Sequence, residues 1–136
     1  MITYEDIKAE LDKAQPNLFR AANGLALHQG LPPDLSENSA GVWISVPLNQ
    51  RDLQLATLNG SKGRVAVYDE EVTFAITFVT SKKNQNAKTA RSAVEGLSTC
   101  DLFKNYYAKP FAAADVYNPS NIEVDYGFTF NKTVIA

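Results

Sequence analysis

EEVTFAITFVTSKKNQNAKTARSAVEGLS, residues 70–98, decides how this chain is read. Val72, Phe74, Ile76 and Phe78 alternate with Thr73, Ala75, Thr77 and Val79, the period-two pattern of a strand with one buried face. After a basic, amide-rich turn, Asn86 is placed to cap a helix, AKTARSAVEGL. Its stripe of Ala90, Ala93, Val94 and Leu97 is small enough to approach a sheet closely. Gly96 weakens that helix by roughly 1 kcal/mol relative to alanine, which points to close packing or an early end. The second face of the strand is half-polar, small and flat, and it bears no reactive group.

Working outward, the last strand repeats the pattern. Ile122, Val124, Tyr126, Phe128 and Phe130 face one way, and Glu123, Asp125, Gly127, Thr129 and Asn131 the other. At the N-terminus, Thr3 and Asp6 have capping-box spacing, and Ile7, Leu11, Ala14 and Leu18 line one helical face until Pro16 interrupts it. The helix is expected to stop near Lys13 or to restart as a short turn through Arg20. Residues 23–41 read as a long loop with at most a brief strand at Leu25–His28, and loops of that length are often functional. Val42, Ile44, Val46 and Leu48 alternate with Trp43, Ser45 and Pro47, the proline suggesting an edge or the strand's end. Leu53–Leu58 is ambiguous between a helical turn and a strand. Asn59-Gly60-Ser61-Lys62-Gly63 is a turn, and Arg64–Tyr68 is a strand that a polar bulge would join to Val72–Thr80. Residues 101–120 hold several aromatics without a clean period. The expectation is one α+β domain over 1–136, with a mainly antiparallel sheet of four to five strands and two helices packed on its apolar face.

The chain has 136 residues, 13 basic and 15 acidic, giving a net charge of −2, so there is no broad positive field to grip nucleic acid by its phosphates. The charges are unevenly placed. Asp69, Glu70 and Glu71 form an acidic knot before the long strand, and Lys82, Lys83, Lys88 and Arg91 a basic cluster after it. Two solvated loop ends explain this, and so do complementary patches that meet between neighbouring copies. The one cysteine, Cys100, excludes an internal disulfide and fits a reducing cytoplasm, or a fold indifferent to redox. MITYEDIKAEL is acidic and periodic, unlike a signal peptide, and no apolar run reaches the roughly 20 residues of a membrane span.

The inventory for catalysis is thin. His28 is the only histidine, which excludes a histidine-rich metal site, and Asp34 and Glu37 are its sequence neighbours. Cys100 in LSTCDLF reads as a small buried hydrophobe rather than a nucleophile. No nucleophile elbow, P-loop or dinucleotide fingerprint is present. The reading is therefore of a protein that is not an enzyme, with no cofactor and no metal. Phe103, Tyr106, Tyr107 and Phe111 fit a lid over one end of the sheet better than a stacking platform for bases. Trp43 lies opposite the apolar face of its strand, either over a helix end or in contact with another chain.

This layout resembles the tail-terminator and tail-completion proteins of long-tailed bacteriophages. The likeness runs through the first helix, the loop before GVWISVPL, the strand EVTFAITFVTSKK, the helix NAKTARSAVEGLS and the closing strand NIEVDYGFTF. It is a likeness of element order, with no residue motif to carry across. It implies a virion protein, made in the host cytoplasm, that forms a ring of about six copies ending the tail tube and joining it to the head connector. Its partners would be further copies of itself, the tube protein and the neck proteins, with DNA only passing through and no membrane. In such a ring the half-polar face, including Thr73, Thr77, Glu123 and Asp125, lines the channel or meets the next copy, and loop 23–41 and turn 81–86 are candidates for axial contacts. The alternatives are another neck or tail component, such as an adaptor, a stopper or a tube subunit. A third is a monomeric binding domain with a pocket lined by Trp43, Tyr106, Tyr107 and Tyr126.

Overall fold

The computed structural model of the chain describes residues 1–32, 40–57 and 64–135. Helix α1 (Tyr4–Ala14) opens the chain with the expected capping box: Thr3 Oγ1 accepts from the Asp6 amide and Asp6 Oδ2 accepts from the Thr3 amide at 2.9 Å. It stops where Pro16 cannot donate, and Asn17 turns the chain at φ 66°. A 3-10 turn at Ala21–Asn23 follows, ended by Gly24 in the left-handed region. The brief early strand is present as β1 (Leu27–Gln29), parallel to β2 (Gly41–Ile44). Residues 33–39 of the long loop, with Asp34 and Glu37, lie outside the described residues.

Strand β3 (Leu48–Thr57) resolves the ambiguous stretch as a strand, and β4 (Arg64–Ser81) runs unbroken where two strands joined by a bulge were expected. Its register with β3 is one-to-one from Leu48↔Thr73 to Thr57↔Arg64, so no extra residue is accommodated. The Asn59–Gly63 turn lies outside the described residues. Strands β2 and β3 share one edge of β4, end to end. Between them, Pro47 has no amide to donate, and Ser45 closes the gap: its amide donates to Ala75 O and its hydroxyl accepts from the Ala75 amide at 2.8 Å.

Helix α2 (Ala87–Glu95) begins after Asn86, but Asn86 does not cap it. Its backbone is already helical, and the Asn84 side chain accepts from the Asn86 amide instead. The irregular segment holds two 3-10 turns (Gly96–Thr99 and Asp101–Phe103) and two short strands, β5 (Tyr107–Ala108) and β6 (Ala112–Val116). Both pair with β7 (Asn121–Ile135), which is antiparallel to β4 over fifteen matched positions.

The fold is therefore α+β with two α-helices and a mixed, mostly antiparallel sheet of seven strands, more than the four or five expected. The extra strands are short edge pieces without a buried face of their own: β1 bonds to β2, and β5 and β6 to β7. The core lies where the alternation placed it. Val72↔Phe130, Phe74↔Phe128, Ile76↔Tyr126 and Phe78↔Val124 are cross-strand neighbours on one face. Ile7 and Leu11 of α1, Ala90 and Val94 of α2, and Leu97 belong to the same buried cluster. Phe103 reaches in from its 3-10 turn to stack on Phe130, with ring centroids 3.7 Å apart. Each such buried side chain contributes about 1.5–3 kcal/mol.

Candidate interaction surface

Pairing register fixes what stands on the second face of the sheet. Trp43, Thr77, Asp125 and Ala114 form one row across β2, β4, β7 and β6, and Ala75, Gly127 and Ala112 form the next. Thr73 and Thr129 follow, then Gln50, Glu71, Asn131 and Tyr107, then Asp52, Asp69 and Thr133. Thr73, Thr77 and Glu123 are half-buried, while Ala75, Ala112, Ala114 and Asp125 are exposed. The two α-helices pack into the core on the opposite face. Trp43 is buried on the second face, stacked on His28 at 5.0 Å, so it does not cover a helix end.

Beyond the last core layer, β3, β4 and the end of β7 continue together as a three-stranded arm. The acidic knot sits in this arm, inside β4 rather than in a loop before it. Its members point to different faces. Glu70 lies on the helix-side face between Arg51 and Lys132, at 3.2 and 3.4 Å. Those cations rest over the rings of Tyr68 and Tyr106. Burial lowers the Lys132 pKa, but the Tyr106 hydroxyl and Glu70 carboxylate outweigh it and leave the ammonium raised. Asp69 and Glu71 lie on the other face with Asp52. Asp69 accepts from Gln54 Nε2 at 2.8 Å and from Thr133 Oγ1 at 3.0 Å, and Glu71 accepts from Thr73 Oγ1. Asp52, Asp69, Glu71, Tyr107 and Asn131 border an open cavity of about 550 Å³.

The basic cluster divides in the same way. Arg91 is drawn into the fold: its Nε donates to Tyr126 Oη at 3.1 Å, and its guanidinium faces Asp115 at 3.9 Å. Lys82, Lys83 and Lys88 are exposed and, among the described residues, enter no ion pair. Sequence reading missed Arg51, Lys132 and Asp52. Only the pairing register brings them beside the knot, and an antiparallel partner for β4 was the one signal that pointed there.

The four aromatics proposed for a pocket do not converge. Trp43 and Tyr126 lie on opposite faces, Tyr107 is 72% exposed, and Tyr106 packs edge-on to Phe103. Phe103, Tyr106 and Phe111 do close one end of the core, with Tyr107 turned outward. Burial pushes the Cys100 thiol up, away from the reactive thiolate. Among the described residues no cluster of three or more His, Cys, Asp or Glu is placed to hold a metal ion, and no helix is long and apolar enough to cross a membrane.

No protein-family model and no curated protein matches this chain. A solved chain whose name states no function aligns over 97% of this chain and 95% of its own, at 11% identity and a TM-score of 0.42. So loose a likeness carries no argument.

Proposed function

We propose that this chain is a structural, non-enzymatic protein of a long-tailed bacteriophage particle. It forms a ring of about six copies that ends the tail tube and meets the head connector. One observation supports the reading above the others. The sheet offers a broad second face of threonine, alanine, glycine and carboxylate, from Ala75 through β7 to β6, while the α-helices pack on the other side. Such a face is too polar for a core, yet its small side chains suit close packing against a copy or a channel wall. Glu123 and Asp125 on that wall would repel DNA and let it pass. Cofactor and metal have no role in this reading.

The test is the solution mass of the purified chain over a concentration series, with negative-stain images of the large species. Rings of about six copies with a central hole are the expected result. A strict monomer that is also missing from purified phage particles would overturn the reading.

A further inference from the structure

The ring reading leaves open which surfaces of neighbouring copies touch. We infer that the acidic arm of one copy docks on the basic turn of the next, Asp52, Asp69 and Glu71 meeting Lys82, Lys83 and Lys88. The inference rests on the ring reading and gives it an interface.

Both patches are electrostatically unfavourable within a single chain. Asp52 and Asp69 are directly opposed across β3 and β4, and like charges in that position are destabilising. Glu71 stands one step further along the same face and adds to the repulsion. The lysines have the converse problem. Lys88 sits in the first turn of α2, which holds no acidic residue, and Lys82 and Lys83 lie in the turn before it, separated from the helix by Asn84, Gln85 and Asn86. Cations at a helix N-terminus oppose its dipole. Each patch would be relieved by the other, and they cannot reach one another in one copy. Asp69 lies inside β4 and Lys82 just past its far end, about 40 Å apart at roughly 3.3 Å per residue.

Their exposure also suits a contact between copies. The carboxylates border an open cavity on the arm beyond the last core layer, while Lys82, Lys83 and Lys88 stand exposed in and just after turn 81–86. A head-to-tail contact of two different patches, repeated with a closing rotation, makes a ring. The division of the second face follows from this: the arm end serves the contact, and Glu123 and Asp125, further along, remain for the channel wall.

The experiment uses the full chain and two triple variants, K82E/K83E/K88E and D52K/D69K/E71K, with circular dichroism to establish that each folds. Sedimentation velocity should show wild-type assembly weakened roughly tenfold or more between low and high salt. Each variant alone should assemble about 100-fold more weakly, because every contact becomes like-charged. An equimolar mixture should regain the large species, since each variant then supplies the partner that the other lacks. Folded variants that assemble like wild type, or a mixture that fails to recover, overturn the inference and leave the ring reading standing. A wild-type chain that stays monomeric at every salt overturns this inference, and the ring reading falls with it only if the chain is also missing from purified phage particles.

Discussion

The Tyr126 hydroxyl donates to the Glu95 carboxylate at 2.9 Å, which ties the centre of β7 to the end of α2. Arg91 donates to the same hydroxyl, so one buried oxygen serves two charged groups of the helix. Burial raises the Tyr126 pKa, with the Glu95 bond acting in the same direction and the Arg91 bond against it. The folded state therefore holds the proton more tightly than the unfolded chain does. This contribution to stability is complete below the ordinary tyrosine value of 10.0 and is lost as pH climbs from there through the raised folded value. Denaturant midpoints measured from pH 8 upward should fall above about 10, and Tyr126→Phe should flatten the fall. At neutral pH the same substitution should cost about 1–2 kcal/mol, the worth of hydrogen bonds to charged partners.

Glu70 offers a test of the arm. Its carboxylate is shared by Arg51 and Lys132, with Glu70 and Lys132 partly shielded from water and Arg51 exposed. Glu70→Gln leaves two cations facing each other across the carboxamide and should destabilise by about 1 kcal/mol. The loss should be larger in low salt than in high salt, because no counter-charge remains to screen the repulsion. Urea melts of the two proteins at two ionic strengths would decide it, and a loss that does not depend on salt would show that charge repulsion is not its source.

Phe103 stands in a segment whose sequence has no periodicity, yet it stacks on Phe130 and lies 6.0 Å from Phe74. It closes the core over Phe74 and Phe130. Phe103→Ala should cost about 3–5 kcal/mol by opening a cavity there. Tyr107→Ala, a few residues along but turned to solvent, should change stability by less than about 0.5 kcal/mol. Thermal melts of the pair would show whether the segment is a lid or a loose connection.

These contrasts show what the sequence made legible. The faces of β4 and β7 could be read because one face is buried and the other is not, which imposes strict alternation on Phe74, Ile76, Phe128 and Phe130. In the arm both faces meet solvent, so Asp69–Glu71 carried no alternation and resembled a loop. Strand β6, AAADV, is exposed throughout and exists through its backbone bonds to β7, a long-range pairing that its own residues do not announce. Asn86 failed as a cap for a local reason: its own backbone is already helical rather than extended, and its side chain makes no capping bond. The charged residues were visible as patches, but the split between those spent inside the fold, Glu70 and Arg91, and those left facing outward needed the register.

Gly41 marks where the long loop must enter the sheet. Its φ is 155°, and an added Cβ would lie 3.0 Å from the His28 ring and 3.2 Å from Ala26 O. The imidazole can shift, but the carbonyl is fixed by its bond to the Val42 amide at 2.8 Å. Gly41→Ala should therefore cost about 1–3 kcal/mol and loosen the parallel β1–β2 pair. Faster amide exchange at Val42 and Gly30, whose amides donate across that junction, is the expected signature.

Asp125 and Glu123 allow the channel role to be tested apart from assembly. Both lie on the second face, Asp125 beside Thr77 and Glu123 beside Val79, and no ion pair engages either among the described residues. If they line a passage for DNA, their charge matters for what slides past and not for the contact between copies. Asp125→Lys with Glu123→Lys should leave the ring mass unchanged while creating binding to duplex DNA that the wild-type ring lacks. That binding should weaken steeply with salt, since each phosphate contact adds a slope of about 0.9 in log affinity against log salt. Loss of the ring in this double variant would instead place these carboxylates in the contact between copies and remove them from the channel.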